Sequence, residues 1–98
     1  MKDSCFIESY TYEGGIGALV ELSFSNPETP TSPAFVAFAK NLAKHIAAME
    51  PTSPEDLLSQ PSVMNPEKAV GHLMIELADH LHDKLAINRF VRWVAGGP

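Results

Sequence analysis

A chain of 98 residues with seven basic and twelve acidic side chains, a net charge of −5, fits one domain around a single core. The acidic balance excludes a nucleic-acid or anionic-membrane surface, because both require a cationic patch that displaces counterions. No run approaches the roughly 18 apolar residues of a membrane span, and "MKDSCFIESY" lacks the apolar stretch of a signal peptide, so the expected compartment is the cytoplasm.

A domain of this size buries only about two-thirds of its unfolded surface, so pairing with another chain would add stability. Cys5 is the single cysteine. It excludes an internal disulfide and a four-cysteine zinc site, and it reads as a small apolar residue opening a strand.

Residues 6–12, "FIESYTY", set Phe6, Glu8, Tyr10 and Tyr12 against Ile7, Ser9 and Thr11, and their aromatic and β-branched content predicts a strand. "EGG" at 13–15 supplies a hairpin turn. Alternation then resumes with Ile16, Ala18, Val20, Leu22 and Phe24 on the face expected to be buried. "SFSNPETPTSP" at 23–33 follows, a stiff connection carrying Pro27, Pro30 and Pro33.

In "PAFVAFAKNLAKHIAAME" the apolar residues Phe35, Phe38, Ala39, Leu42, Ile46 and Met49 recur at helical spacing, with Lys40 and Lys44 on the wet side. Thr31 or Ser32 is the expected cap, Pro33 suits the first turn, and Pro51 stops the helix. Residues 51–66 read as a connector with at most one helical turn, pinning Leu57 and Leu58 inward. A second main helix is expected from an Asn65 cap and Pro66, with Val70, Leu73, Met74, Leu77, Ala78 and Leu81 as its stripe. In the closing "AINRFVRWVAGGP", Ile87, Val91 and Trp93 alternate with Phe90 and Val94, which suits a strand carrying Arg89 and Arg92 on opposite faces. The order β-β-α-α-β predicts an α+β two-layer sandwich, a small three-stranded antiparallel sheet with two main helices on one face.

Residues that carry chemistry are sparse. His80 and His82 lie about 200° apart around a helix and His72 lies about 12 Å from His80, so they cannot share an ion. "EGGIG" precedes a strand, the wrong context for a phosphate loop. Asp3, Glu8, Glu13 and Glu21 form no carboxylate pair beside a nucleophile or base. No enzyme activity, metal or cofactor is expected. Met49, Met64 and Met74 read as core filler, Arg89, Arg92 and Trp93 as a solvated face, and His45 as a helix-edge residue packed at the boundary or touching a partner.

Four segments, "GIGALVEL", "FAKNLAKHIAAMEP", "LLSQPSVMNPEKAVGHL" and "INRFVRWVAGG", carry a family resemblance. In the same order they resemble R-I-G-V-L-V-E-V, L-A-K-D-I-A-M-H-I-A-A-M-x-P, L-L-x-Q-P-F-V-x-x-P-x-x-T-V-G-x-L and V-R-R-F-V-R-F-E-x-G of the core, or dimerisation, domain of bacterial elongation factor Ts. The resemblance spans about residues 8–97 and implies one such domain over 1–98. It implies translation elongation: binding of elongation factor Tu, promotion of its guanine nucleotide exchange, and self-pairing through this domain.

The resemblance also marks departures. The family's N-terminal helical domain has no counterpart here, and "EPTSPEDLLSQP" replaces a long helical insertion. The family's Thr-Asp-Phe-Val tip, which pushes on Tu, aligns with Asn26, Pro27, Glu28 and Thr29. His45 aligns with a histidine on the partner side. Gln60, Pro61 and Val63 match Q-P-F-V, with Ser62 in place of the phenylalanine, and His82, Asp83 and Lys84 replace a G-E-N turn. Two readings follow: a Tu-binding protein with these residues toward the partner, or an exchange-inactive, homodimerising interaction module of the same fold.

Overall fold

The alternating residues at the start of the chain form an antiparallel hairpin in the computed structural model, which describes residues 4–96. Strand β1 (Ser4–Tyr12) pairs along its length with β2 (Ile16–Phe24), setting Phe6 opposite Leu22 and Tyr10 opposite Ala18. At the turn Glu13 and Gly14 both take positive φ, 52° and 69°, the handedness that matches strand twist. Strand β3 (Ala86–Val94) pairs antiparallel with the other edge of β2, giving the sheet order β1-β2-β3.

Helices α1 (Pro33–Met49), α2 (Pro54–Ser59) and α3 (Val70–Leu81) cover one face, so the expected α+β sandwich and its β-β-α-α-β order of main elements are present. Ala18, Val20, Leu22 and Phe24 of β2 are buried beneath Phe35, Ala39, Leu42, Ala43, Ile46 and Ala47 of α1, with Leu57, Val70 and Ile87 closing the core. Phe35 meets Phe6 and Phe24 edge-on, with ring centroids 5.2 and 6.0 Å away. Among the described residues no helix is long and apolar enough to cross a membrane.

Local chemistry set most boundaries, and pairing between backbone segments moved the start of α3. Ser32 occupies the α1 cap position, but its hydroxyl makes no capping bond; Pro33 follows it directly. Glu50 ends α1 in the left-handed region at φ 51°, and its N–H donates to the Ile46 carbonyl at 3.2 Å. Arg92 reaches over from β3, its Nε donating to the Ala47 carbonyl at 2.9 Å, which places a cation at the negative end of the helix. Met49 and Met64 are exposed rather than buried as filler, while Met74 packs against the core.

The connector holds more helix than expected. Ser53 caps α2 by accepting the Asp56 N–H at 3.0 Å, and the Asp56 carboxylate accepts the N–H of the preceding residue, Thr52, at 2.9 Å. Leu57 is fully buried and Leu58 packs on the core, as expected. Helix α3 starts at Val70 and not at Asn65-Pro66. The backbone of 60–62 takes its partners from 68–70: Val70 N–H donates to Gln60 at 2.9 Å and Ser62 N–H to Lys68 at 2.9 Å. Those bonds hold residues 65–69 out of the helix.

In β3 a bulge at Asn88 separates Ile87, opposite Leu22, from Arg89, opposite Glu21. Ile87 therefore shares the helix-covered face with Phe90, Arg92 and Val94, while Arg89, Val91 and Trp93 lie on the open face; the expected grouping of Ile87 with Val91 and Trp93 is corrected. Arg89 and Arg92 do fall on opposite faces. Cys5 opens β1 as expected but is exposed, its sulfur 3.5 Å from Asn88 Nδ2.

Gly71 marks where α3 crosses α2, since a Cβ there would lie 3.1 Å from the Leu58 carbonyl oxygen and 3.3 Å from Leu58 Cβ. Gly71→Ala should stay near wild-type stability, a helix-propensity gain of about 1 kcal/mol offsetting the contact. Gly71→Val should cost about 1–3 kcal/mol in urea unfolding, because backbone cannot retreat from a branched side chain.

Candidate partner-binding site

The connection from β2 to α1 forms a tightly bonded corner. The Asn26 side-chain oxygen accepts the Glu28 N–H at 3.0 Å, and its carbonyl accepts the Thr29 N–H at 2.9 Å, so Pro27 and Glu28 form the apex of a turn. A 3-10 turn over Thr29–Thr31 follows, in which the Glu28 carbonyl accepts both the Thr31 N–H at 3.0 Å and the Thr31 hydroxyl at 2.6 Å. Ser32 N–H donates to Thr29 at 3.0 Å, delivering the chain to Pro33 at the first position of α1.

Asp83, from the turn between α3 and β3, reaches this corner. Its carboxylate accepts the Ser25 N–H at 3.0 Å, the Asn26 N–H at 3.1 Å and the Thr29 hydroxyl at 2.5 Å, together with the Lys84 N–H at 2.7 Å. Burial works against its charge, yet these bonds outweigh burial and hold its carboxyl below the usual aspartate value of 3.8. Beside it lies an open depression of about 480 Å³ lined by Ser25, Ala78, Asp79, His82, Asp83 and Lys84.

Of the four tip residues, Pro27 and Glu28 are exposed, Asn26 is half-buried, and Thr29 is 2% exposed. The surface at this end is therefore a proline and a glutamate on a rigid base. His45 lies elsewhere, twelve residues and about 18 Å along α1 from Pro33. It is 2% exposed rather than at a helix edge. Its Nε2 lies 2.8 Å from Gln60 Oε1 and its Nδ1 accepts the Val63 N–H at 3.3 Å. An accepting Nδ1 requires the neutral ring with its proton on Nε2, donated to Gln60. His45 thus holds the 60–63 connector onto α1. Beside it is a small cavity of about 50 Å³ lined by Phe38, Asn41, Leu42, His45, Ser62, Met64, Val70 and Leu73.

The tip and His45 do not converge on one patch. Asp83 was not among the expected site residues; the only sign of it was the His82-Asp83-Lys84 run after a helix, and its partners lie 54–58 residues away.

The site so defined is a rigid loop presented at the end of a two-layer sandwich. No family model matches the chain. It is similar to elongation factor Ts of Clostridium kluyveri, 30% identical over 87 residues that make up 88% of this chain and 28% of that protein. It is also similar to elongation factor Ts of Alkaliphilus metalliredigens, 27% identical over 135 aligned positions covering 92% of this chain and 63% of the relative. For elongation factor Ts of Rubrobacter xylanophilus the figures are 26%, 89% and 68%. These are distant similarities that take in most of this chain, which spans about 28% of the length of the Clostridium kluyveri protein.

A carboxyl lowered by folding stabilises the folded form above its unfolded value, and that stabilisation is lost as pH falls through the folded value. In an acid titration followed by NMR, the Ser25 and Asn26 amide signals should therefore shift with a midpoint below pH 3.8. A midpoint at or above that value would contradict the Asp83 bonds.

Proposed function

We propose that this chain acts in translation elongation by binding elongation factor Tu, with Pro27 and Glu28 as the touching residues and Asn26 and Thr29 as their base. The observation that carries this reading is the similarity to elongation factor Ts along 88% of the chain. The 25–32 connection supports it: a loop held by five internal hydrogen bonds and by three more to Asp83 loses little entropy on binding. His45, buried away from this loop, holds Gln60 and Val63 on α1 and is not among the touching residues. The compartment this reading requires is the cytoplasm, and the role is that of a binding protein and not an enzyme.

Nucleotide exchange needs a differential interaction, tighter with the nucleotide-free partner than with the GDP-bound one. A proline-glutamate apex has no aromatic ring to wedge into a packed partner, so GDP release is the weaker consequence of binding. The test mixes this chain, at tens of micromolar, with Tu carrying fluorescent GDP. Co-elution on a sizing column with modest acceleration of release is expected; the absence of both would sink the reading.

A second reading, self-association, is favoured by the uncovered sheet face. Trp93 is 73% exposed there, and Ile7, 59% exposed, lines a cleft of about 420 Å³ with Leu19 and Val91, edged by Glu21 and Arg89. A second copy covers such a face with like chemistry, and Glu21 and Arg89, paired at 3.0 Å within one chain, would exchange partners across a two-fold seam. Light scattering should give twice 10.7 kDa, more fully at high salt, where repulsion between two chains of charge −5 is screened. Trp93→Asp should return the mass to 10.7 kDa; a wild-type monomer at high concentration and high salt removes this reading.

A further inference from the structure

Asp83 stands on a platform fixed from behind. Helix α3 ends with His82 in the left-handed region at φ 53°, His82 N–H donating to Asp79 at 3.3 Å and Asp83 N–H to Ala78 at 3.0 Å. This double bond pattern is a Schellman closure, and it sets the direction in which Asp83 leaves the helix. The Lys84 N–H then binds one carboxylate oxygen at 2.7 Å and fixes its rotamer. From that position the carboxylate takes donors from the last residue before the corner, Ser25, from its first turn residue, Asn26, and from Thr29 beyond the apex.

The division of labour follows from these bonds. Contacts within 26–32 fix the internal shape of the corner. The Asp83 bonds span the corner's two arms and tie them to α3, so they fix where the apex points relative to the sandwich. Three donors on one carboxylate form the charge-assisted kind of hydrogen bond, stronger than the neutral bonds inside the turn.

We infer that Asp83 is the positioning residue of the tip: its carboxylate orients Pro27 and Glu28 for a protein partner, without touching that partner itself. This rests on the Tu-binding reading above and deepens it, since it moves part of the determinant of affinity to a residue outside the loop. Asp83→Asn preserves the shape but puts an amide donor where donors already converge, so at least one tip bond is lost.

The experiment compares wild type, Asp83→Asn and Thr29→Val with a core variant, Val70→Ala, as a control for lost stability. Amide hydrogen exchange of the free chain is read first, then affinity for Tu. Asp83→Asn should speed exchange at Ser25 and Asn26 by about tenfold or more relative to Val70→Ala, and weaken Tu binding by about tenfold. Its effect on affinity should shrink in a Thr29→Val background, because the two residues share a bond. Unchanged exchange at Ser25 and Asn26 overturns the inference, as does faster exchange with unaltered affinity for Tu. If Asp83→Asn fails to fold, Thr29→Val alone carries the test with the same two readouts. A wild-type chain that does not bind Tu defeats the partner reading instead, and the exchange data then stand or fall for the loop ordering by themselves.

Discussion

The seat of Phe35 between Phe6 and Phe24 is the contact on which the rest of this molecule depends. Burying such a ring contributes on the order of 2–3 kcal/mol, and its edge-on approach to two strands gives it a direction as well as a strength. Phe35 is the third residue of α1. Locking it over the end of the hairpin therefore fixes where α1 begins, and with it the gap that residues 25–32 must span. The prolines of that stretch look like spacing in one dimension; in three they restrict how a fixed gap is bridged. A corner with Pro27 and Glu28 at its apex is the outcome, so the proposed contact surface is a product of core packing several residues away.

The elements with a one-sided burden were legible from the sequence. Ala18, Val20, Leu22 and Phe24 alternate because one face of the central strand is covered, and α1 carries its stripe for the same reason. What escaped was pairing between distant backbone groups. Asn65 and Pro66 have the right chemistry for a helix start, yet the amides and carbonyls of 60–62 needed partners and found them at 68–70. The bulge at Asn88 carries no glycine or proline to announce it, so simple alternation groups Ile87 with Val91 and Trp93 and not with Phe90. Met49 follows the helical period of α1 but is its last residue and is exposed there.

The candidate site was half legible in the same sense. The loop itself stood out through its prolines and through its alignment with an active tip, and the structure shows how its backbone is bonded. The groups that hold it in place did not stand out. Asp83 is joined to it across more than fifty residues, and His45 proved to be an interior hydrogen-bonding hub, because Gln60 and the Val63 amide lie on a segment whose path periodicity does not describe.

The bulge in β3 also decides how this strand tolerates change in length. Downstream of Asn88, every residue owes its face to that one extra position. Losing it would turn the indole of Trp93 toward the C-terminal carbonyls of α1 and swing the guanidinium of Arg92 out onto the bare side of the sheet. An insertion or deletion in this strand would thus exchange its covered and open faces, whereas a change of side chain on the open face leaves the packing beneath α1 as it is.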